Sequence, residues 1–76
     1  MIQEFDTVVL AHDIQAHGLQ QGDIGAVVHC YERGDAYEVE FVSGEGGTIA
    51  VLTLNQGEIR AMRQREILHV RELLAA

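Results

Sequence analysis

The chain has 76 residues, of which 47% are hydrophobic, with no Trp, no Pro and a net charge of −7. This length allows one domain, and this apolar content excludes intrinsic disorder. A surface this negative repels phosphate, so nucleic-acid binding is disfavoured. No apolar run approaches the roughly 18 residues of a membrane span, and the N-terminus is unlike a signal peptide. The single cysteine, Cys30, cannot form a disulfide within the chain. We therefore expect a cytoplasmic protein that does not associate with membranes.

The first half of the chain predicts two strands joined by a glycine-rich loop. Strand-forming residues occupy 5–10 and 25–32, and the loop between them spans 11–24. Its glycines predict a tight reversal before the second strand, because glycine adopts positive φ without a steric penalty. The glycines that define this loop are Gly18, Gly22 and Gly25.

The second half predicts two hairpins. Residues 36–42 alternate strictly, so Tyr37, Val39 and Phe41 should face the core while Glu38 and Glu40 face solvent. A turn at 33–35 precedes this strand and a glycine-rich loop at 43–47 follows it. The fourth strand, 48–54, is apolar on both faces, and a turn at 55–57 leads to a brief fifth strand at 59–62.

The last residues, 63–75, predict an amphipathic helix, because their aliphatic side chains recur at helical spacing. We expect a barrel domain at 1–62 and a helical extension at 63–76. The helix either closes its own barrel or joins the fourth strand in an interface with a protein partner or with a second copy of the chain, and in the last case the protein is a homodimer. That interface would consist of Ile49, Val51, Ile67, Val70, Leu73 and Leu74.

Several segments together carry a family resemblance: Phe5–Leu10, Asp13–Ile14, Gly18–Leu19, Gly22–Val28, Tyr37–Phe41 and Thr48–Leu54. Over residues 3 to about 62 the chain resembles a small bacterial family catalogued as domain of unknown function four-nine-two-six. The resemblance implies a mainly β fold, a small five-stranded SH3-like barrel, related in pattern to the nitrile hydratase β-subunit barrel and to KOW modules. It implies no activity, and it does not extend to the helix.

The residues with reactive side chains do not form a convincing catalytic or metal site. His12 and His17 lie in the loop and His29 and Cys30 in the second strand, but their spacing matches no tetrahedral zinc pattern. Whether His12 and His17 bind a metal stays open. Ser43 lies in a hairpin loop with no predicted base beside it. We therefore predict a protein that is not an enzyme, with no catalytic residue, no cofactor, no metal and no small-molecule substrate.

The function expected from these residues is protein interaction or assembly. An acidic face of Asp23, Glu32, Glu38 and Glu40 suits an inhibitory or immunity-type partner that covers a basic protein. One alternative is an accessory enzyme subunit, by analogy with the nitrile hydratase barrel. Another is a KOW-like nucleic-acid module, although Gln20 and Gln21 stand where KOW modules usually carry a basic residue.

Overall fold

A computed structural model describes residues 2–73, which form one antiparallel sheet of five strands. The strands are β1 (Thr7–Leu10), β2 (Ile24–Cys30), β3 (Ala36–Val42), β4 (Thr48–Asn55) and β5 (Ile59–Ala61). Their order across the sheet is β4-β3-β2-β1-β5. The predicted mainly β class and all five strands are confirmed, but the sheet does not close into a complete barrel, because β4 and β5 form its two edges.

The core lies on one face of this sheet. Tyr37, Val39 and Phe41 are at most 4% exposed, which confirms the inward face predicted for β3. The rest of the core comes mainly from β1, β2, β4 and β5. We call the opposite side, which carries Glu38 and Glu40, the outer face of the sheet.

Gly25 is confined by packing rather than by its backbone angle. A Cβ atom built on it would lie 2.7 Å from Val39 Cγ1 and 3.0 Å from both the Glu40 carbonyl oxygen and Phe41 Cε1. Any larger residue would therefore push β2 away from β3. By contrast, Gly18 needs positive φ, 69°, where it ends a short 3-10 helix at Gln15–His17.

The predicted C-terminal helix is wrong. Residues 63–73 contain one turn, closed by a hydrogen bond from the Glu66 N–H to the Arg63 carbonyl (3.2 Å), and then continue without regular structure. The predicted helical residues 74–75 lie outside the described part of the chain. An isolated helix of this length is marginal in water, and here side chains at both ends of the segment bind distant residues instead. We call residues 63–73 the C-terminal strap.

Candidate functional site

The outer face of β3 and β4 carries a connected set of carboxylates and hydroxyls. Register places Glu38 opposite Thr53 and Glu40 opposite Val51. The pairing shifts between Phe41 and Val42, so that Val42 lies opposite Thr48. Cross-strand neighbours on one face lie close enough for their side chains to interact. The sheet register therefore brings the two carboxylates and the threonine hydroxyls of β4 together.

Each carboxylate is held by hydroxyl groups through one of its two oxygens. Glu38 Oε1 accepts hydrogen bonds from the hydroxyls of Tyr31 (3.0 Å) and Thr53. Glu40 Oε2 accepts one from Thr48 Oγ1 at 2.6 Å. Within residues 2–73, Glu38 Oε2 and Glu40 Oε1 have no hydrogen-bond partner. We call these five residues the carboxylate–hydroxyl cluster.

No cation within residues 2–73 forms an ion pair with the carboxylates of the cluster. No arginine in the described part of the chain lies within 4 Å of either carboxylate; His29, the β2 neighbour of Glu38, instead approaches Glu4 at 3.8 Å. The His29 ring also meets Tyr31 edge to face at 4.8 Å. The hydrogen bond to Glu38 raises the pKa of the Tyr31 hydroxyl, with smaller contributions from burial and from the charge of Glu38. Tyr31 therefore stays a donor to Glu38 well above neutral pH.

Asp23 and Glu32, the other two residues of the predicted acidic face, lie elsewhere. Asp23 immediately precedes β2 and Glu32 follows its end, so the seven residues of that strand separate them. Seven extended residues at about 3.3 Å each span roughly 23 Å. The structure thus brings together Glu38 and Glu40 but does not join all four carboxylates in one patch.

Asp23 is bound by an arginine from the strap. Arg71 donates from Nε to Asp23 Oδ1 (2.8 Å) and from Nη2 to Oδ2 (2.5 Å), and Nη2 also reaches the Gly18 carbonyl oxygen (2.9 Å). The backbone N–H of Gln20 donates to Asp23 Oδ2 at 2.8 Å. Burial favours the neutral acid, but the bonds from Arg71 and Gln20 outweigh it and lower the pKa of Asp23. The carboxylate of Asp23 is therefore committed to fixing the strap.

A second ion pair holds the other end of the strap. Arg60 on β5 donates two hydrogen bonds to Glu66, at 2.8 and 2.6 Å, and the Arg63 N–H donates a third at 2.7 Å. The Arg60 bond and then the Arg63 bond lower the pKa of Glu66 to about 2. Register places Val9 of β1 between Arg60 and Ile24 on the outer face, yet Val9 is only 5% exposed. The two anchors of the strap, at Arg60 and at Asp23 next to Ile24, lie on either side of Val9.

The side chains of the predicted apolar interface are dispersed. On the strap, Ile67 and Val70 are at least 90% exposed and Leu73 is 45% exposed; Leu74 is outside the described residues. On β4, Val51 is 48% exposed, whereas Ile49 packs against the core. The anchors of the strap lie on β5 and before β2, so they do not connect the strap to β4.

The loop histidine His12 already has partners at both ring nitrogens. Nδ1 lies 2.8 Å from the Asp13 carbonyl oxygen, and Nε2 lies 3.1 Å from Glu58 Oε2. These two contacts, the first more than the second, raise the pKa of His12. Among residues 2–73 no three His, Cys, Asp or Glu side chains converge as metal ligands would.

An open groove of about 810 Å³ lies beside the end of β2, lined by residues 2–4 and 30–34 together with Tyr37 and Gln56. Cys30, a free thiol, is partly buried there and packs against the core.

Within residues 2–73 there is no helix with the length and apolar character that a membrane crossing requires.

In comparisons with known proteins, residues 4–61 match one protein-family model. The chain belongs to the family described as Domain of unknown function (DUF4926). The DUF4926 match covers all five strands and the whole carboxylate–hydroxyl cluster, and it ends before the strap. Neither the curated proteins nor the solved structures gave a match.

Thr48, Thr53 and Tyr31 are the members of the cluster that sequence reasoning missed. The loop at 43–47 pairs Val42 with Thr48, and pairing that continued from there without interruption would place Glu38 opposite Leu52. The places of Thr53 and Thr48 beside the two carboxylates therefore both depend on the register shift between Phe41 and Val42, which the sequence pattern does not report.

Proposed function

We propose that this protein is a non-enzymatic protein-interaction module, a small SH3-like barrel of the bacterial cytoplasm, and that the carboxylate–hydroxyl cluster is its binding face. One observation carries the proposal. Glu38 and Glu40 are fixed by hydroxyls, and each keeps one oxygen without a partner among the described residues. Carboxylates fixed in this way are prepared to accept hydrogen bonds from a cationic partner, since little side-chain freedom is then lost on binding.

The partner that fits this face is a protein with a basic surface. The net charge of −7 draws such a protein towards the module and accelerates their encounter. Val42 and Val51, each about half exposed on the same face, add apolar contact next to the carboxylates. An inhibitory or immunity-type role, in which the module covers a basic protein, is the specific form of this proposal.

Affinity capture from the host tests the proposed face. We expect the tagged parent to retain a basic protein that the double variant Glu38→Gln/Glu40→Gln loses. The matched control is Asp35→Asn/Glu45→Gln, which removes two exposed loop carboxylates and changes the net charge equally. Equal loss of the partner from both double variants would mean that binding depends on net charge alone, and it would contradict a binding face defined by Glu38 and Glu40.

A further inference from the structure

Strand β4 offers an unpaired sheet edge directly beside the carboxylate–hydroxyl cluster. It lies at one end of the sheet, where it pairs with β3 alone. Within residues 2–73, no backbone group between Thr48 and Leu54 forms a main-chain hydrogen bond outside that pairing. Such an edge presents a row of N–H and C=O groups that another strand can bind.

One protective feature of this edge, a bulge at Ile49 where the pairing with β3 shifts, lies near the start of the strand and leaves residues 50–55 regularly paired. The eight residues of β4 include no charged residue and no proline, two further devices that guard an edge. The opposite edge differs, since β5 has only three residues and leads into the strap. Of the two edges, β4 is the one that can accept a strand of substantial length.

The short side chains of β4 leave the carboxylates of β3 within reach of an added strand. Val51 and Thr53 lie between that strand and Glu40 and Glu38, respectively. Strands lie about 4.8 Å apart, so the Cα atoms of an added residue and of its β3 counterpart are roughly 10 Å apart. The long stems of lysine and arginine, extended over Val51 or Thr53, span that gap towards the glutamate oxygens.

We infer that β4 binds an extended peptide segment of a basic partner by strand addition. Its alternate side chains are Lys or Arg, which reach Glu38 and Glu40, and the residues between them are apolar. These apolar residues face inward and cover Leu52, a partly buried side chain packed against the core. Main-chain hydrogen bonds supply affinity, and the alternating side chains supply specificity. The inference rests on the proposed function, because it defines the partner of the same face.

The test uses the full chain and an eight-residue peptide of alternating Lys and Val, acetylated and amidated. We expect its binding to slow amide hydrogen exchange in β4 at alternate residues, those whose N–H groups point away from β3. Glu38→Gln/Glu40→Gln should weaken binding about fivefold, as expected for two exposed ion pairs. The control Asp35→Asn/Glu45→Gln should weaken it less.

Peptide variants separate strand addition from attraction by charge alone. N-methylation of alternate residues along the edge that pairs with β4 preserves every charge but removes donors, and should weaken binding about tenfold or more. Equal binding of the methylated peptide, or unchanged exchange in β4, would overturn the inference. So would a protein that sediments as a dimer through β4 and binds no peptide, since a second copy would then occupy the edge.

The result also distinguishes the two proposals. If the captured partner depends on Glu38 and Glu40 but the peptide leaves β4 exchange unchanged, only strand addition fails. If the partner is equally well retained by Glu38→Gln/Glu40→Gln, the proposed binding face fails as well.

Discussion

The strap side of the molecule and the outer face of β3 use carboxylates in opposite ways. Asp23 and Glu66 each accept two hydrogen bonds from an arginine of the same chain, so their charges are balanced internally. Glu38 and Glu40 accept bonds from neutral hydroxyls, which fix their position and leave their charge in place. The difference shows that carboxylates of equal formal charge can have unequal roles. Those bound by arginine are paired within the chain, and those bound by hydroxyls are the ones we propose to meet a partner.

The largest loss of stability is expected from a substitution in the core, on the inner face of β3. Phe41→Ala removes a side chain that is 2% exposed, and should cost about 3 to 5 kcal/mol, much of the stability of a small domain. Its neighbour Glu40 points to the other face, so Glu40→Gln should change the unfolding free energy by less than about 0.5 kcal/mol. Chemical denaturation measures both, and a similar cost for the two variants would mean that the two faces of β3 are not distinct.

The second largest effect, on stability and proteolysis, is expected when the strap-binding carboxylate of Asp23 is removed, and Glu40 on the outer face of β3 provides the comparison. Asp23→Asn removes the charge that holds Arg71, so we expect lower stability and faster tryptic cleavage after Arg65 in the strap. Glu40→Gln removes an equal charge from the outer face and should leave both measurements close to those of the parent. Equal cleavage rates in the two variants would show that the Arg71 pair does not anchor the strap.

A smaller effect is expected at acidic pH, from Glu66. Because its pKa is lowered from 4.5 to about 2 in the folded protein, the stability it contributes is fully present above about pH 4.5 and is lost as the pH falls through about 2. Glu66→Gln should therefore flatten the fall of stability across this range, whereas the loop variant Glu45→Gln should not. Thermal melts at several pH values provide the comparison, and parallel curves for parent and Glu66→Gln would contradict the assignment.

The alternation of residues in β3 predicted the outer face of that strand correctly, whereas the helical spacing of the last residues predicted the structure of the strap incorrectly. Strict alternation in β3 was enough to place Glu38 and Glu40 opposite the core, but Thr53 was missed because its place beside Glu38 depends on the register shift near the hairpin loop. The helix failed because Arg71 binds Asp23, 48 positions away, and Glu66 binds Arg60 on β5. Periodicity reports only the apolar stripe of a segment, and contacts between distant charges do not appear in it. The same contacts removed Asp23 from the predicted acidic face.

The most direct test of the central claim, that Glu38 and Glu40 meet the partner, is zero-length carbodiimide cross-linking in the host. This reagent joins carboxylates to amines, and the chain contains no lysine, so cross-links from its carboxylates report almost entirely on other proteins. We predict cross-linked peptides that join Glu38 or Glu40 to lysines of one basic protein. Cross-links to that protein only through the loop carboxylates Asp35 and Glu45 would contradict the account.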